Sequence, residues 1–229
     1  MAQASRPLRA DSAATRESIL EASVKLFGER GYRNTSLRAI TDAADVNLAA
    51  ANYHFGSKAQ LLDAAFERCI APINDERMRR LRQLQASSSS PSVEALVRAF
   101  VDLEFALTDN EHLDQFLAHL FAEPKSVSVP LLEKTFAPVV QAYFAALHAA
   151  LPDVPVEVLR WRFHLMIGSM IQLARFRHPL NFFQADSPPA EGSLQAGIDQ
   201  LVEFVVAGLT QPGTSGDGAS GDGASGDGE

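Results

Sequence analysis

The chain has 229 residues, of which 46% are apolar, and a formal net charge of −8. This apolar content suffices for a folded core and excludes a collagen-like or fully disordered chain. No apolar run approaches the ~20 residues that span a bilayer, and the first residues lack the apolar segment of a signal peptide, so we expect a cytoplasmic protein without membrane contact.

The negative charge is distributed unevenly along the chain. Residues 1–70 contain nine Lys and Arg and eight Asp and Glu, a net charge of +1, whereas residues 71–229 contain eleven and twenty, a net charge of −9. The acidic excess therefore lies in the part that need not approach a polyanion. The first part remains compatible with modest nonspecific affinity for nucleic acid.

The first helix follows a polar N-terminal segment. Residues 1–12 carry Arg6 and Arg9 and are predicted to be a disordered arm, either a solvated tail or a segment that lies in a minor groove. Apolar residues then recur at helical spacing from Ala13 to Glu29, and Gly31 is expected to cap this helix.

Two short helices joined by a tight turn follow. Thr35 and Ser36 are capping residue types ahead of a helix predicted over Leu37–Ala44. The turn is predicted at residues 45–47, and its last residue is an asparagine that caps a second helix over Leu48–Phe55. This arrangement is a helix-turn-helix, whose second helix enters the DNA major groove.

The second helix is predicted to end at Gly56, and the next helix to begin at Ser57. Gly56 supplies the left-handed residue that commonly follows a helix, and Ser57 with Gln60 matches a capping box.

The sequence of this region resembles the DNA-binding domain of the TetR family of transcriptional regulators. The resemblance implies an all-α fold with an N-terminal three-helix helix-turn-helix domain and a C-terminal helical domain for ligand binding and dimerisation. One departure is Asp45, which stands where such turns usually carry glycine; aspartate tolerates the left-handed conformation with slight strain. The matching positions are Phe27, Gly31, Tyr32, Thr35 and Ser36, followed by Tyr53, His54, Phe55, Ser57 and Lys58.

The resemblance, combined with residue chemistry, assigns roles at the DNA. Hydroxyl, imidazole and ammonium groups suit phosphates, and these candidates are either Thr35 or Ser36, together with Tyr53, His54 and Lys58. Arginine suits guanine, asparagine suits adenine and methyl groups suit thymine, so the candidates for base edges are Arg38, Asn47, Leu48, Ala49 and Asn52. Phe55 is expected to be core.

The helix that begins at Ser57, the fourth along the chain, is predicted to kink or end at Pro72. The charged stretch beyond it contains Arg77, Arg79, Arg80 and Arg82. These arginines are interpreted as a solvated face or as partners of the acidic part of the chain.

Every later periodic segment is helical, and no strand alternation occurs. Pro138 is expected to bend the helix predicted over Val129–Leu151. The last two predicted helices, Val156–His178 and Ser193–Leu209, are apolar on more than one face and predict a two-fold homodimer packed as a four-helix bundle. Such a dimer places two recognition helices one DNA turn apart, about 34 Å, and predicts a palindromic double-stranded operator.

The aromatic residues of the central helices allow two interpretations. They are either ordinary core or the lining of an apolar cavity for a hydrophobic effector. A weaker resemblance of residues 46–58 and 71–81 to the fatty-acid-responsive PsrA-like branch favours a fatty acid or acyl-coenzyme A. The predicted pocket comprises Phe100, Phe116, Phe121, Phe136, Tyr143, Phe144, Phe163, His164, Met166 and Met170.

The expected organisation is an arm at 1–12, a helix-turn-helix domain at 13–56, a helical ligand-binding and dimerisation domain at 57–210, and a disordered tail of GDGAS repeats at 211–229. Neither a catalytic motif nor a metal-ligand cluster is present in the sequence, so we expect no enzyme activity and no cofactor or metal. The alternative function is a helical adaptor that does not bind DNA, supported by Asp45 and the weak positive charge of the N-terminal part.

Overall fold

The computed structural model describes residues 8–106, 111–176 and 193–212. Within these ranges all regular structure is α-helical, which confirms the predicted fold class. The helices are α1 (Leu8–Asn34), α2 (Leu37–Ala43), α3 (Leu48–Phe55), α4 (Lys58–Ser87), α5 (Val93–Ala106), α6 (Glu111–Ala122), α7 (Lys125–Ala150), α8 (Val156–Phe176) and α9 (Ser193–Thr210).

Helix α1 is longer than the sequence indicates at both ends. It begins at Leu8, so part of the predicted arm is helical, while residues 1–7 lie outside the described ranges. The chain breaks from helical geometry at Gly31 (φ 77°, ψ 165°) and resumes a helical turn to Asn34. Gly31 therefore marks a sharp bend within α1 rather than its last residue.

The turn and caps of the helix-turn-helix are those that the sequence predicts. Asp45 adopts the left-handed conformation with φ 54°, and the Asn47 side chain caps α3 by accepting a hydrogen bond from the Ala50 amide at 2.8 Å. Gly56 has φ 72°, and the Ser57 hydroxyl caps α4 by accepting from the Gln60 amide at 3.2 Å. These local bonds satisfy helix-end amides that would otherwise lack partners.

Prolines do not end the long helices. Helix α4 continues through Pro72 to Ser87, and α7 contains both Pro130 and Pro138. A proline inside a helix removes one amide donor, so the carbonyl four residues earlier loses its usual partner. Helix α4 therefore runs as one element from the helix-turn-helix into the C-terminal helices.

The buried side chains form two clusters, one at each end of the molecule. The N-terminal core contains residues of α1, α2, α3, the first half of α4 and α6, together with Leu131 of α7. The C-terminal core joins α5, α7, α8 and α9 with Leu81 of α4. Helix α6 thus packs on the N-terminal helices, although it lies within the predicted domain at 57–210. The division of the chain at residue 57 stays a prediction.

The described ranges contain neither a membrane-spanning helix nor a cluster of metal ligands. None of the helices there is long and apolar enough to cross a bilayer. Nor do three His, Cys, Asp or Glu residues of those ranges lie close enough together to hold a metal ion.

Candidate DNA-binding surface and effector domain

Helix α3 presents one exposed face and buries the other. Leu48, Ala49 and Asn52 are exposed, and Tyr53 is 83% exposed. Phe55, as the sequence predicts, is buried in the N-terminal core. Small side chains on the exposed face let the helix backbone approach another surface closely, and Asn52 adds a hydrogen-bonding group there. This combination fits readout of base edges in a major groove.

Thr35 and Ser36, one or the other of which is predicted to hold a phosphate, differ in accessibility. Thr35 is only 1% exposed, and its hydroxyl lies 2.8 Å from the Gly31 carbonyl oxygen and 3.1 Å from that of Leu26. The Thr35 side chain therefore closes the α1–α2 corner, and its prediction as a phosphate ligand is wrong because the hydroxyl is turned inward. Ser36 is exposed and caps α2 by accepting from the Ala39 amide at 3.1 Å.

Lys58 lies beneath the same corner. Its Nζ donates to the carbonyl oxygens of Tyr32 and Thr35, both at 2.7 Å, and lies 4.3 Å from the centre of the Tyr32 ring. Burial lowers the pKa of Lys58, and the Glu123 carboxylate opposes that shift. An ammonium has three N–H donors, so two position the α1–α2 corner and one is left for a phosphate.

Glu123, which follows α6, also contacts this corner. Its side chain is 8% exposed; Oε1 accepts from the Arg33 amide at 3.2 Å, and Oε2 lies 3.3 Å from Arg33 Nε. The end of α6 and the start of α4 therefore both hold residues 32–35. These are the residues directly before α2.

The remaining predicted DNA contacts lie on or beside the exposed face. Arg38 and Asn47 are exposed, and His54 is half-buried with its ring 5.2 Å from that of Tyr53. Sequence reasoning missed Arg16, an exposed residue of α1 whose guanidinium lies 5.2 Å from the centre of the Phe55 ring. Arg16 therefore adds a cation beside the end of α3. No local signal could have shown it, because the two residues are distant in sequence.

The residues predicted to line an effector pocket do not surround one cavity. Phe100, Phe163 and Tyr143 pack ring against ring, with centroids 5.0 Å apart for Phe100 and Tyr143 and 5.6 Å apart for Phe100 and Phe163. Met166 and Met170 are buried in the same C-terminal core.

The other predicted pocket residues lie elsewhere. Phe116 belongs to the N-terminal core, Phe136 packs against both cores, and Phe144 is half-buried beside Phe163. Phe121 is 46% exposed and His164 is exposed. In this conformation most of these side chains are packed against one another, so the single pocket stays a prediction.

Arg77 also departs from its predicted place on a solvated face. It is buried in the C-terminal half, where Nε donates to the Phe100 carbonyl oxygen at 3.0 Å and the guanidinium lies 4.4 Å from the centre of the Phe100 ring. The Tyr143 hydroxyl donates to the Arg77 carbonyl oxygen at 2.8 Å, and burial raises the Tyr143 pKa. Arg79 and Arg80 instead pair with Glu76 on their own helix and lower its pKa to about 2.

Helices α8 and α9 leave large apolar side chains in contact with solvent. Trp161 is 70% exposed and Phe204 is 72% exposed, and Leu165 is exposed one turn beyond Trp161. A Cβ built on Gly168 or Gly208 would meet nothing within 4 Å. These helices therefore carry apolar side chains and glycines on faces that the described residues do not cover.

Comparison with solved structures agrees with this architecture. NalD from Pseudomonas aeruginosa, described as the secondary repressor of the MexAB-OprM multidrug efflux pump, superposes with a TM-score of 0.63 at 21% identity, covering 86% of this chain and 98% of NalD. The fatty acid degradation regulator FadR from Bacillus halodurans superposes with a TM-score of 0.62 at 15% identity, covering 85% and 96%. At these identities the likeness establishes the fold.

Sequence comparison adds curated relatives and family models. The probable HTH-type transcriptional regulator YttP from Bacillus subtilis is 26% identical over 98 residues, which cover 43% of this chain and 44% of YttP. The chain spans less than half the length of the curated relatives it matches. Residues 19–65 match the model of bacterial regulatory proteins of the tetR family, and residues 94–208 match the tetracyclin repressor-like C-terminal domain. The helix-turn-helix chain with its helical C-terminal half thus belongs to the TetR family of transcriptional regulators.

Proposed function

We propose that the protein is a repressor that binds a palindromic DNA operator as a homodimer and is released by a small molecule. The observation that carries this proposal is the exposed face of α3, where Leu48, Ala49, Asn52 and Tyr53 stand free of the N-terminal core. Within residues 8–106, 111–176 and 193–212, no packing contact accounts for an exposed tyrosine and leucine at this position. Insertion into a major groove accounts for both.

Phosphate contacts would hold α3 in the groove. Ser36, Tyr53, His54 and Lys58 remain proposed for this role, and Arg16 joins them. Arg38, Asn47, Leu48, Ala49 and Asn52 remain proposed for base edges. Asn47 already uses its side-chain oxygen to cap α3, so its amide nitrogen is the group left for DNA.

Dimerisation would proceed through α8 and α9. The exposed apolar side chains of these helices, Trp161 and Leu165 on α8 and Phe204 on α9, would be buried against a second copy. Two α3 helices held by a two-fold axis would contact half-sites separated by about 34 Å, one turn of DNA.

Release would be a shift between two conformations of the dimer. Helix α4 runs from the helix-turn-helix into the C-terminal core, so a ligand that favours another tilt of α4 changes the separation of the two α3 helices. Differential binding of about 1 to 3 kcal/mol is typical for such coupling. Equal effector affinity in the presence and absence of operator would contradict this mechanism.

A hydrophobic effector would need a cavity in the C-terminal core. A fatty acid or acyl-coenzyme A, the class that the PsrA-like resemblance favours, would have to separate Phe100, Tyr143 and Phe163 before its chain could enter among them. That class therefore stays a prediction. Mass spectrometry of small molecules retained by the purified protein would identify it.

Selection of genomic DNA fragments by the purified protein at moderate salt tests the function. A repressor should enrich one palindromic sequence, whereas a helical adaptor should enrich none. Asn52→Ala should then change the preferred base at one position of each half-site, while Gln83→Ala, at an exposed position in the second half of α4, should not. An unchanged preference in Asn52→Ala would reject the role of that residue.

One of the two arguments for the adaptor alternative no longer applies. It was favoured by Asp45 and by the weak positive charge of residues 1–70. Asp45 adopts the left-handed conformation that the turn requires, so the absence of glycine does not distort the helix-turn-helix.

A further inference from the structure

A groove of about 250 Å³ lies between α4 and α7, outside the aromatic cluster of the C-terminal core. Its α4 side is formed by residues at positions 63, 67, 71, 74, 75 and 78, and its α7 side by residues at positions 134, 135, 138 and 139. At 100° per residue, the α4 positions occupy one face of that helix. The groove therefore runs lengthwise along α4.

The groove combines an apolar floor with an acidic rim. Ala71, Met78, Pro138 and Val139 supply aliphatic surface. Three carboxylates, those of Asp63, Glu67 and Asp75, line it together with one cation, Lys134, which gives the lining a formal charge of −2.

The carboxylates differ in what they already bind. Lys134 Nζ lies 3.6 Å from Asp63 Oδ2, so this pair neutralises one end of the groove. Glu67 and Asp75 carry the remaining negative charge. They are separated by eight residues of α4, about 12 Å along the helix axis, which is too far for two ligands of one metal ion.

Hydrogen-bond acceptors continue between these carboxylates. The Asn74 side-chain nitrogen donates to the Thr135 carbonyl oxygen at 2.9 Å, which fixes α4 to α7 one turn before Pro138. The Asn74 side-chain oxygen is buried and lacks a hydrogen-bond partner among the described residues. Pro138 has no amide proton, so the carbonyl of Lys134 also lacks its usual helical donor. The groove is rich in acceptors and has few donors.

We propose that this groove binds a linear α,ω-diaminoalkane of about eight carbons, a dication whose chain consists only of methylene groups. Its two terminal ammonium groups would pair with Glu67 and Asp75, and its methylene chain would lie on Ala71 and Met78. The length of the ion matches the spacing of the carboxylates, and its charge matches the formal charge of the lining. An acyl-coenzyme A is disfavoured here because its phosphates would face the same carboxylates.

Isothermal titration of the full chain with 1,8-diaminooctane, in the absence of DNA, tests the proposal. Binding should occur at one site per chain and weaken at least tenfold in Glu67→Gln/Asp75→Asn. The control is Glu29→Gln/Asp153→Asn, which removes the same charge at two exposed positions that do not line the groove. Octylamine, which keeps the chain but has one ammonium group, should bind more weakly than 1,8-diaminooctane.

A second variant tests the floor without changing charge. Ala71→Leu fills part of the groove and should lower the affinity for 1,8-diaminooctane, with circular dichroism used to establish that the helices are intact. Equal affinities in the groove variant and its charge-matched control would overturn the proposal, as would a stoichiometry of several ions per chain, because either result indicates general attraction to an acidic protein. DNA is absent from the titration, so failure here leaves the proposed operator binding untouched.

Discussion

Phe204→Ala should weaken the dimer strongly while leaving the single chain folded. Phe204 is 72% exposed in the chain, so its ring contributes little to either core. An aromatic side chain presents roughly 200 Å², so a partner subunit would cover about 140 Å² of this ring, which stabilises the dimer by about 3.5 kcal/mol per copy at 25 cal/mol per Å². The alanine methyl group retains part of that contact, which leaves about 2.5 kcal/mol lost per copy.

The two-fold axis doubles this loss, because each dimer contains two copies of the side chain. A loss of about 5 kcal/mol raises the dimer dissociation constant by about three and a half orders of magnitude. Sedimentation equilibrium over a dilution series measures this constant. The matched control is Phe121→Ala, which removes the same ring from an exposed position on α6 and should leave the dimer intact. Identical dissociation constants for both variants and the unmodified protein would refute dimerisation through this face.

Two substitutions and one labelling experiment test the helix-turn-helix and the helices that support it. Lys58→Ala removes both hydrogen bonds to the corner that includes Tyr32, so it should lower the free energy of unfolding by about 1 to 3 kcal/mol. The same variant should flatten the salt dependence of operator binding. An unchanged urea midpoint would contradict the positioning role of Lys58. Gly31→Ala places a Cβ 3.2 Å from His119 Nδ1 at a φ of 77°, and should cost about 2 kcal/mol in urea unfolding; an equally stable variant would show that the bend is not strained. Burial raises the pKa of the Cys69 thiol, so iodoacetamide should alkylate it more slowly in the folded chain than in urea at pH 8, and equal rates would show an accessible thiolate.

Local features of the sequence were sufficient to predict the helix-turn-helix. Asn47, Gly56 and Ser57 act within a few residues of their own positions, and each occupies the predicted cap. The left-handed conformation of Asp45 likewise follows from its place between two helices. Capping and turn chemistry depend on neighbours in the chain, so a single sequence contains the information.

Roles that depend on distant contacts were not predictable in the same way. Thr35 is a hydroxyl residue at a helix start, which suits a phosphate contact. Its hydroxyl is instead hydrogen-bonded to carbonyl oxygens of the preceding helix. Arg77 lies in a charged stretch, yet it enters the C-terminal core beside Phe100. Helical spacing identifies the apolar face of a helix but not the helix that covers it, so the aromatic residues could not be divided between the two cores.

Helices α4 and α6 both contact residues 32–35, and these contacts would link a movement of the C-terminal helices to the position of α3. Lys58 at the start of α4 holds two carbonyls of this corner, and Glu123 after α6 holds the Arg33 amide. Within the proposed mechanism, a tilt of α4 therefore moves the corner as a unit with α2, which leads directly into the turn before α3. Helix α3 would keep its own shape while its position changes relative to the second copy. Repression would then be relieved by a wrong spacing between two intact recognition helices, and each isolated half-site would still be bound.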